Sequence, residues 1–101
     1  MKPDKVLSML GIAAKAGGVA SGEFSTEKAV KSGKAGLVIV SEESSDKTKK
    51  MFRNMCTYYK VPYFEFGNKE ELGHILGKQM RASLAVIDPN FSEALLKHFA
   101  D

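Results

Sequence analysis

The chain has 101 residues, 44% hydrophobic and 27% charged, which suits one folded domain spanning residues 1–101 and excludes wholesale disorder. Fifteen Lys and Arg stand against 12 Asp and Glu, a formal charge of +3 that permits a polyanionic partner without requiring one. One cysteine, two histidines without ligand spacing, and no apolar run approaching roughly 18 residues exclude an internal disulfide, a zinc site and a membrane helix, so a cytoplasmic protein without metal, cofactor or membrane partner is expected.

The predicted elements alternate along the chain. Lys5 to Gly17 places Val6, Leu10, Ala13 and Gly17 at three- and four-residue steps, an amphipathic helix stopped by Gly17-Gly18. Val19-Ala20-Ser21 is a short extended stretch, and Glu23 to Lys31 is a second helix closed by Gly33. Leu37-Val38-Ile39-Val40, between Gly36 and a polar run, reads as a buried strand. A long helix follows from about Ser45 to Lys60, with Phe52, Met55, Cys56 and Tyr59 on one face, and Val61-Pro62 ends it. Tyr63 to Phe66 is the next strand. Asn68 with Glu71 forms a capping-box pattern that opens a helix through Leu72, Ile75 and Leu76. Leu84 to Ile87 is the last strand, and Asn90 with Glu93 repeats the cap pattern before a final helix carrying Phe91, Leu95 and Phe99. Strands separated by helices predict an α/β fold, a sheet covered on both faces.

Catalytic signatures are missing. The glycines match neither a Walker loop nor a dinucleotide fingerprint, and no nucleophile elbow is present. His74 reads as a surface or half-buried packing residue, and His98 suits a helix C-terminus. Cys56 lies on an apolar stripe and reads as inert core. Glu42-Glu43, at a strand end, reads as solvated. The expectation is a protein that is not an enzyme.

The charge is unevenly placed. Residues 1–34 hold six lysines against Asp4, Glu23 and Glu27, and so carry the whole +3. Within them lies Ser21-Gly22-Glu23-Phe24-Ser25-Thr26-Glu27-Lys28-Ala29-Val30-Lys31. A glycine before a helix lets another backbone come close, and a helix N-terminus presents N–H groups to phosphate. Lys28 and Lys31 adjoin on one face, Ser25 offers a hydroxyl to a base edge, and Lys28 is a candidate for guanine O6/N7. The plainer reading is a helix whose lysines are merely solvated.

Gly22-Glu23-Phe24-Ser25-Thr26-Glu27-Lys28-Ala29-Val30 resembles the signature of the L-seven-Ae family of kink-turn-binding ribosomal proteins. The similarity continues through Gly36 to Glu42, Val61-Pro62-Tyr63, and Glu71-Leu72-Gly73 with Gly77-Lys78. Leu10 to Gly18 and the Val19-Ala20-Ser21-Gly22-Glu23 that follows are most similar to the short bacterial members of YlxQ type. The resemblance covers roughly residues 5–90. It implies a three-layer α/β/α sandwich with a mixed central sheet of about four strands. It also implies binding to a kink-turn, an RNA bend with tandem sheared G·A pairs, in a ribosomal or riboswitch setting.

Carried over by position, Gly22 lies against the sugar-phosphate backbone, Ser25 and Lys28 face the sheared guanines, and Glu23, Phe24 and Lys31 belong to the same surface. Met80-Arg81-Ala82-Ser83, before the last strand, covers an extruded nucleotide, and Lys69 approaches a phosphate. Three departures stand out: Phe24 where many members have Asn or Lys, Ser25 where they have Glu or Gln, and Arg81 where small or apolar residues are common.

Two other readings use the same scaffold. One is a protein-interaction module with altered or lost RNA binding, using Phe24 or the Phe91 and Phe99 helix, with a weak homodimer as its form. The other is the non-catalytic RNA-recognition part of an enzyme system whose catalytic domain lies on a partner.

Overall fold

The computed structural model describes residues 3–100, and in chain order they form α1 (Pro3–Lys15), β1 (Val19–Ser21), α2 (Glu23–Lys31), β2 (Leu37–Val40), α3 (Asp46–Tyr59), β3 (Tyr63–Glu65), α4 (Lys69–Ile75), β4 (Ser83–Val86) and α5 (Pro89–Ala100). The four strands make one mixed sheet in the order β1-β4-β2-β3. β4 runs antiparallel to both neighbours, with Ala20 opposite Ala85 and Ile39 opposite Leu84, while β2 and β3 are parallel. The expected α/β sandwich with four mixed strands is what the chain forms.

Alternation along the central strands divides the core. Leu37 and Ile39 of β2 join Leu84 and Val86 of β4 beneath α1, α4 and α5, where Val6, Leu10, Leu72 and Leu95 pack. Val38 and Val40, with Ala85, face the other way onto Ala29 and Val30 of α2 and Phe52 and Cys56 of α3. Because both faces are covered, β2 is an unbroken apolar run rather than an alternating one. Each fully buried leucine or phenylalanine here contributes about 1.5–3 kcal/mol. Cys56 is core, and burial pushes its thiol up to about 11.

Helix ends follow local chemistry. Ser45 caps α3 by accepting from the Thr48 amide at 3.1 Å. Asn68 and Glu71 complete the anticipated capping box on α4 at 2.8 and 3.1 Å. Two expectations need correction. The last strand runs from Ser83 to Val86, one residue earlier than its apolar run, because the Ser83 and Leu84 register against β2 and β1 is set by pairing rather than by hydrophobicity. The last helix is capped by Asp88, not Asn90: its carboxylate accepts from the Asn90 and Phe91 amides at 2.8 and 3.1 Å, so Asn90 already lies inside the helix. Lys60 closes α3 at φ 60°, a left-handed conformation costing a non-glycine residue about 1–2 kcal/mol.

Candidate nucleic-acid interface

The candidate residues gather along one edge of the sheet. β1 and β2 are both antiparallel to β4 and hence run the same way, so α2 and the loop before α3 start at the edge where β4 begins. At that edge the Gly22 amide donates to the Ser83 carbonyl at 2.9 Å, and the Ser41 amide donates to Ala82 at 2.8 Å. The α4–β4 loop, residues 76–82, is thereby held between the turn into α2 and the end of β2.

Gly22 has φ 96° and ψ 160°, backbone geometry nearly confined to glycine, and nothing lies within 4 Å of where a Cβ would stand. The position is therefore both conformationally demanding and open to an approaching molecule. Gly22 has no side chain to offer as a cap, and no side-chain cap closes the first turn of α2 among the described residues. The corresponding turns of α3, α4 and α5 are capped by Ser45, Asn68 and Asp88. The leading N–H groups of α2 thus remain for solvent or a ligand, with the positive end of the helix dipole behind them.

Glu23, Phe24, Ser25 and Lys28 are all exposed, and Phe24 is 78% exposed. Lys28 enters no ion pair among the described residues. It separates two shallow clefts: one with Ser25, Ala20, Ala29 and Lys34, the other with Phe24, Glu27 and Lys31. Lys31 is placed differently. Its ammonium donates to Glu27 at 2.7 Å, which holds its pKa above the ordinary lysine value, and it lies two turns beyond Gly22. Any contact it makes with a polyanion first competes with Glu27.

Across the edge, Met80 is 57% exposed and offers an apolar lid. Arg81 turns back: its Nε donates to Ser21 Oγ at 3.2 Å and its Nη1 to the Met80 carbonyl at 2.8 Å. It braces the loop against the residue before Gly22 rather than extending freely. Ala82 is half-buried, its carbonyl used by Ser41. The Lys69 carbonyl accepts from the Arg81 amide at 3.0 Å, so Lys69 flanks the same loop.

Three residues that were not expected at the site support it. Gly73, inside α4, sits against the loop backbone: a Cβ there would meet the Gln79 carbonyl oxygen, stand 2.6 Å from its carbon and 2.8 Å from Met80 Cα. A glycine within a helix was the available signal, since that placement is unfavourable without a close neighbour. Glu43 accepts from the Lys69 amide at 2.7 Å, so it fixes the start of α4 instead of being merely solvated. Ser21 gains its role only through the contact with Arg81, sixty positions away. Thr26 is fully buried beneath the site, and its hydroxyl has no hydrogen-bond partner within the described chain.

Comparison with known proteins shows the family to which the chain belongs. Residues 4–96 match the model of the ribosomal protein L7Ae/L30e/S12e/Gadd45 family. The chain belongs to this family. It is 38% identical over 88 residues to the RNA-binding protein YlxQ of Bacillus subtilis, covering 87% of this chain and 88% of that protein. The Enterococcus faecium RNA-binding protein YlxQ is 32% identical, with 88% and 85% covered. Among solved structures, a protein of unknown function from Bacillus halodurans superimposes with a TM-score of 0.91 at 37% identity, covering 96% and 98% of the two chains. A Giardia lamblia 15.5kD RNA-binding protein shares the fold, with a TM-score of 0.78 at 21% identity over 91% and 82%.

Proposed function

We propose that this chain is a non-catalytic RNA-binding protein that recognises a kink-turn or related bent RNA through the Gly22 edge, acting in the cytoplasm in association with the ribosome. The observation that carries the reading is the open, uncapped start of α2 at Gly22, tied to the Met80-Arg81-Ala82 loop by Gly22–Ser83 and Arg81–Ser21 hydrogen bonds. Family membership and relatives named as RNA-binding proteins support it.

The geometry suits an RNA whose backbone bends sharply. Backbone N–H groups and Lys28 meet phosphates or guanine edges, the missing side chain at Gly22 admits the sugar-phosphate chain, and Phe24 and Met80 offer apolar surface to unstacked bases. Ser25 reaches less far than a longer acceptor, so recognition of the sheared guanines leans on Lys28. A net charge of only +3 gives little long-range attraction, and affinity comes from fit to a preformed or captured shape. Binding then shifts the RNA toward its kinked conformer.

The test is a titration of a synthetic kink-turn RNA beside the same duplex with its G·A pairs replaced by Watson–Crick pairs. Preference for the kink-turn of at least about tenfold, or about 1.4 kcal/mol, is expected. Equal affinity for the two RNAs contradicts kink recognition, and no binding at low salt contradicts RNA binding itself.

A further inference from the structure

A second surface of suitable chemistry lies outside this edge, on α3. Residues 46–60 carry Lys47, Lys49, Lys50, Arg53 and Lys60 against Asp46 alone. Glu65 engages Lys49 at 3.7 Å and Arg53 at 3.6 Å. Lys47, Lys50 and Lys60 are exposed and enter no ion pair among the described residues. At 100° per residue, Lys47, Lys50, Asn54 and Tyr58 fall within a sector of about 80° on the solvent side, opposite Phe52 and Cys56. Tyr58 is 79% exposed, and its ring lies 4.9 Å from Tyr59 in an edge-on pair.

Two features say this face is more than a solvated helix. Lys60 holds a left-handed conformation at a helix end where glycine is the usual residue, so the chain keeps a lysine at the end of this helix against its backbone preference. β2, which leads through residues 41–45 into α3, ends beside the start of β4, as does β1, which leads into α2, and the sector runs roughly 16 Å down the helix from Lys47 to Tyr58. A protein-docking core disfavours lysines, whereas alternating lysines with an exposed aromatic ring match phosphates and bases of a single strand.

We propose that the outer face of α3 is a second RNA contact, a track on which a single-stranded segment leaving the Gly22 edge lies. Lys47 and Lys50 meet phosphates, Asn54 offers polar contact, Tyr58 stacks a base, and Lys60 closes the track. The inference rests on the RNA reading above, and its test separates the two.

Binding is measured by anisotropy on two probes, a synthetic kink-turn RNA and the same RNA with a single-stranded tail. Tyr58→Ala, the Lys47→Ala/Lys50→Ala pair and Lys60→Gly each weaken binding of the tailed RNA about fivefold or more and leave the untailed RNA unchanged. Lys60→Gly melts at or above the wild-type temperature, so its loss of binding is not loss of fold. Lys28→Ala weakens both RNAs. Wild-type affinity of the α3 variants for the tailed RNA, or an equal loss on both probes, overturns the track while leaving the primary edge standing. Unchanged binding by Lys28→Ala on both probes overturns the primary reading.

Discussion

Gly73→Ala probes how the Met80-Arg81-Ala82 loop is held. The added methyl would stand 2.6 Å from the Gln79 carbonyl carbon and 2.8 Å from Met80 Cα, where ordinary contact begins at 3.4 Å. All three obstructing atoms are backbone, so no side chain can swing aside, and the loop must retreat by roughly 1 Å. Overpacking of this kind costs about 1–3 kcal/mol. A displacement of that size also disturbs the Arg81 Nε–Ser21 Oγ bond, now 3.2 Å, and with it the register between the loop and Gly22. Urea unfolding should report the stability loss, and titration with kink-turn RNA at a temperature where the variant is fully folded should report an affinity loss of about tenfold. A variant with wild-type stability and affinity would show that the loop does not depend on this contact.

Four further outcomes follow from other residues. Gly22→Ala has room for its methyl but not the backbone freedom, so it should lose about 1–3 kcal/mol of stability and weaken RNA binding; a neutral result in urea unfolding counts against a strained turn. Lys28→Ala should leave the melting temperature unchanged, cost about 1–3 kcal/mol in RNA affinity, and reduce the salt slope by about one. Thr26→Val removes a buried hydroxyl without a partner and should melt at or above wild type, whereas a clear drop would reveal a hidden partner for that oxygen. Cys56 should alkylate at pH 8 only after denaturation. Because its folded pKa of about 11 exceeds the unfolded 9.0, the folded state binds more protons in between, and stability attributable to the thiol falls as pH rises from 9 to 11; the gap between wild type and Cys56→Ala should narrow over that window by about 2 kcal/mol.

Much of the fold was legible because strong local signals agreed with tertiary packing. Leu37 to Val40 had no polar position to spoil a doubly buried strand, and Asn68 with Glu71 specified a cap that needed nothing beyond its own four residues. The last helix was less legible because Asp88 and Asn90 are both good caps, and only the backbone path selects between them. At the site, Gly22, Phe24, Ser25 and Lys28 lie on one local segment, so sequence placed them together. Lys31 looked equally available, yet its partner Glu27, four residues away on the same helix, takes its ammonium. Arg81 read as a departure within the loop that covers a nucleotide, and its contact with Ser21 depends on two segments meeting across β4, which no local pattern encodes. The charge of α3 was hidden in a balanced total: residues 35–101 sum to zero, although the segment 46–60 is strongly basic.

Capture of a bent RNA by the Gly22 edge is tested most directly by energy transfer between dyes on the two arms of a kink-turn RNA as protein is added. Transfer should rise with wild-type protein as the arms close, and Lys28→Ala should need about tenfold more protein to reach the same closure. Arms that stay open at saturating protein, or superimposable curves for the two proteins, would contradict it.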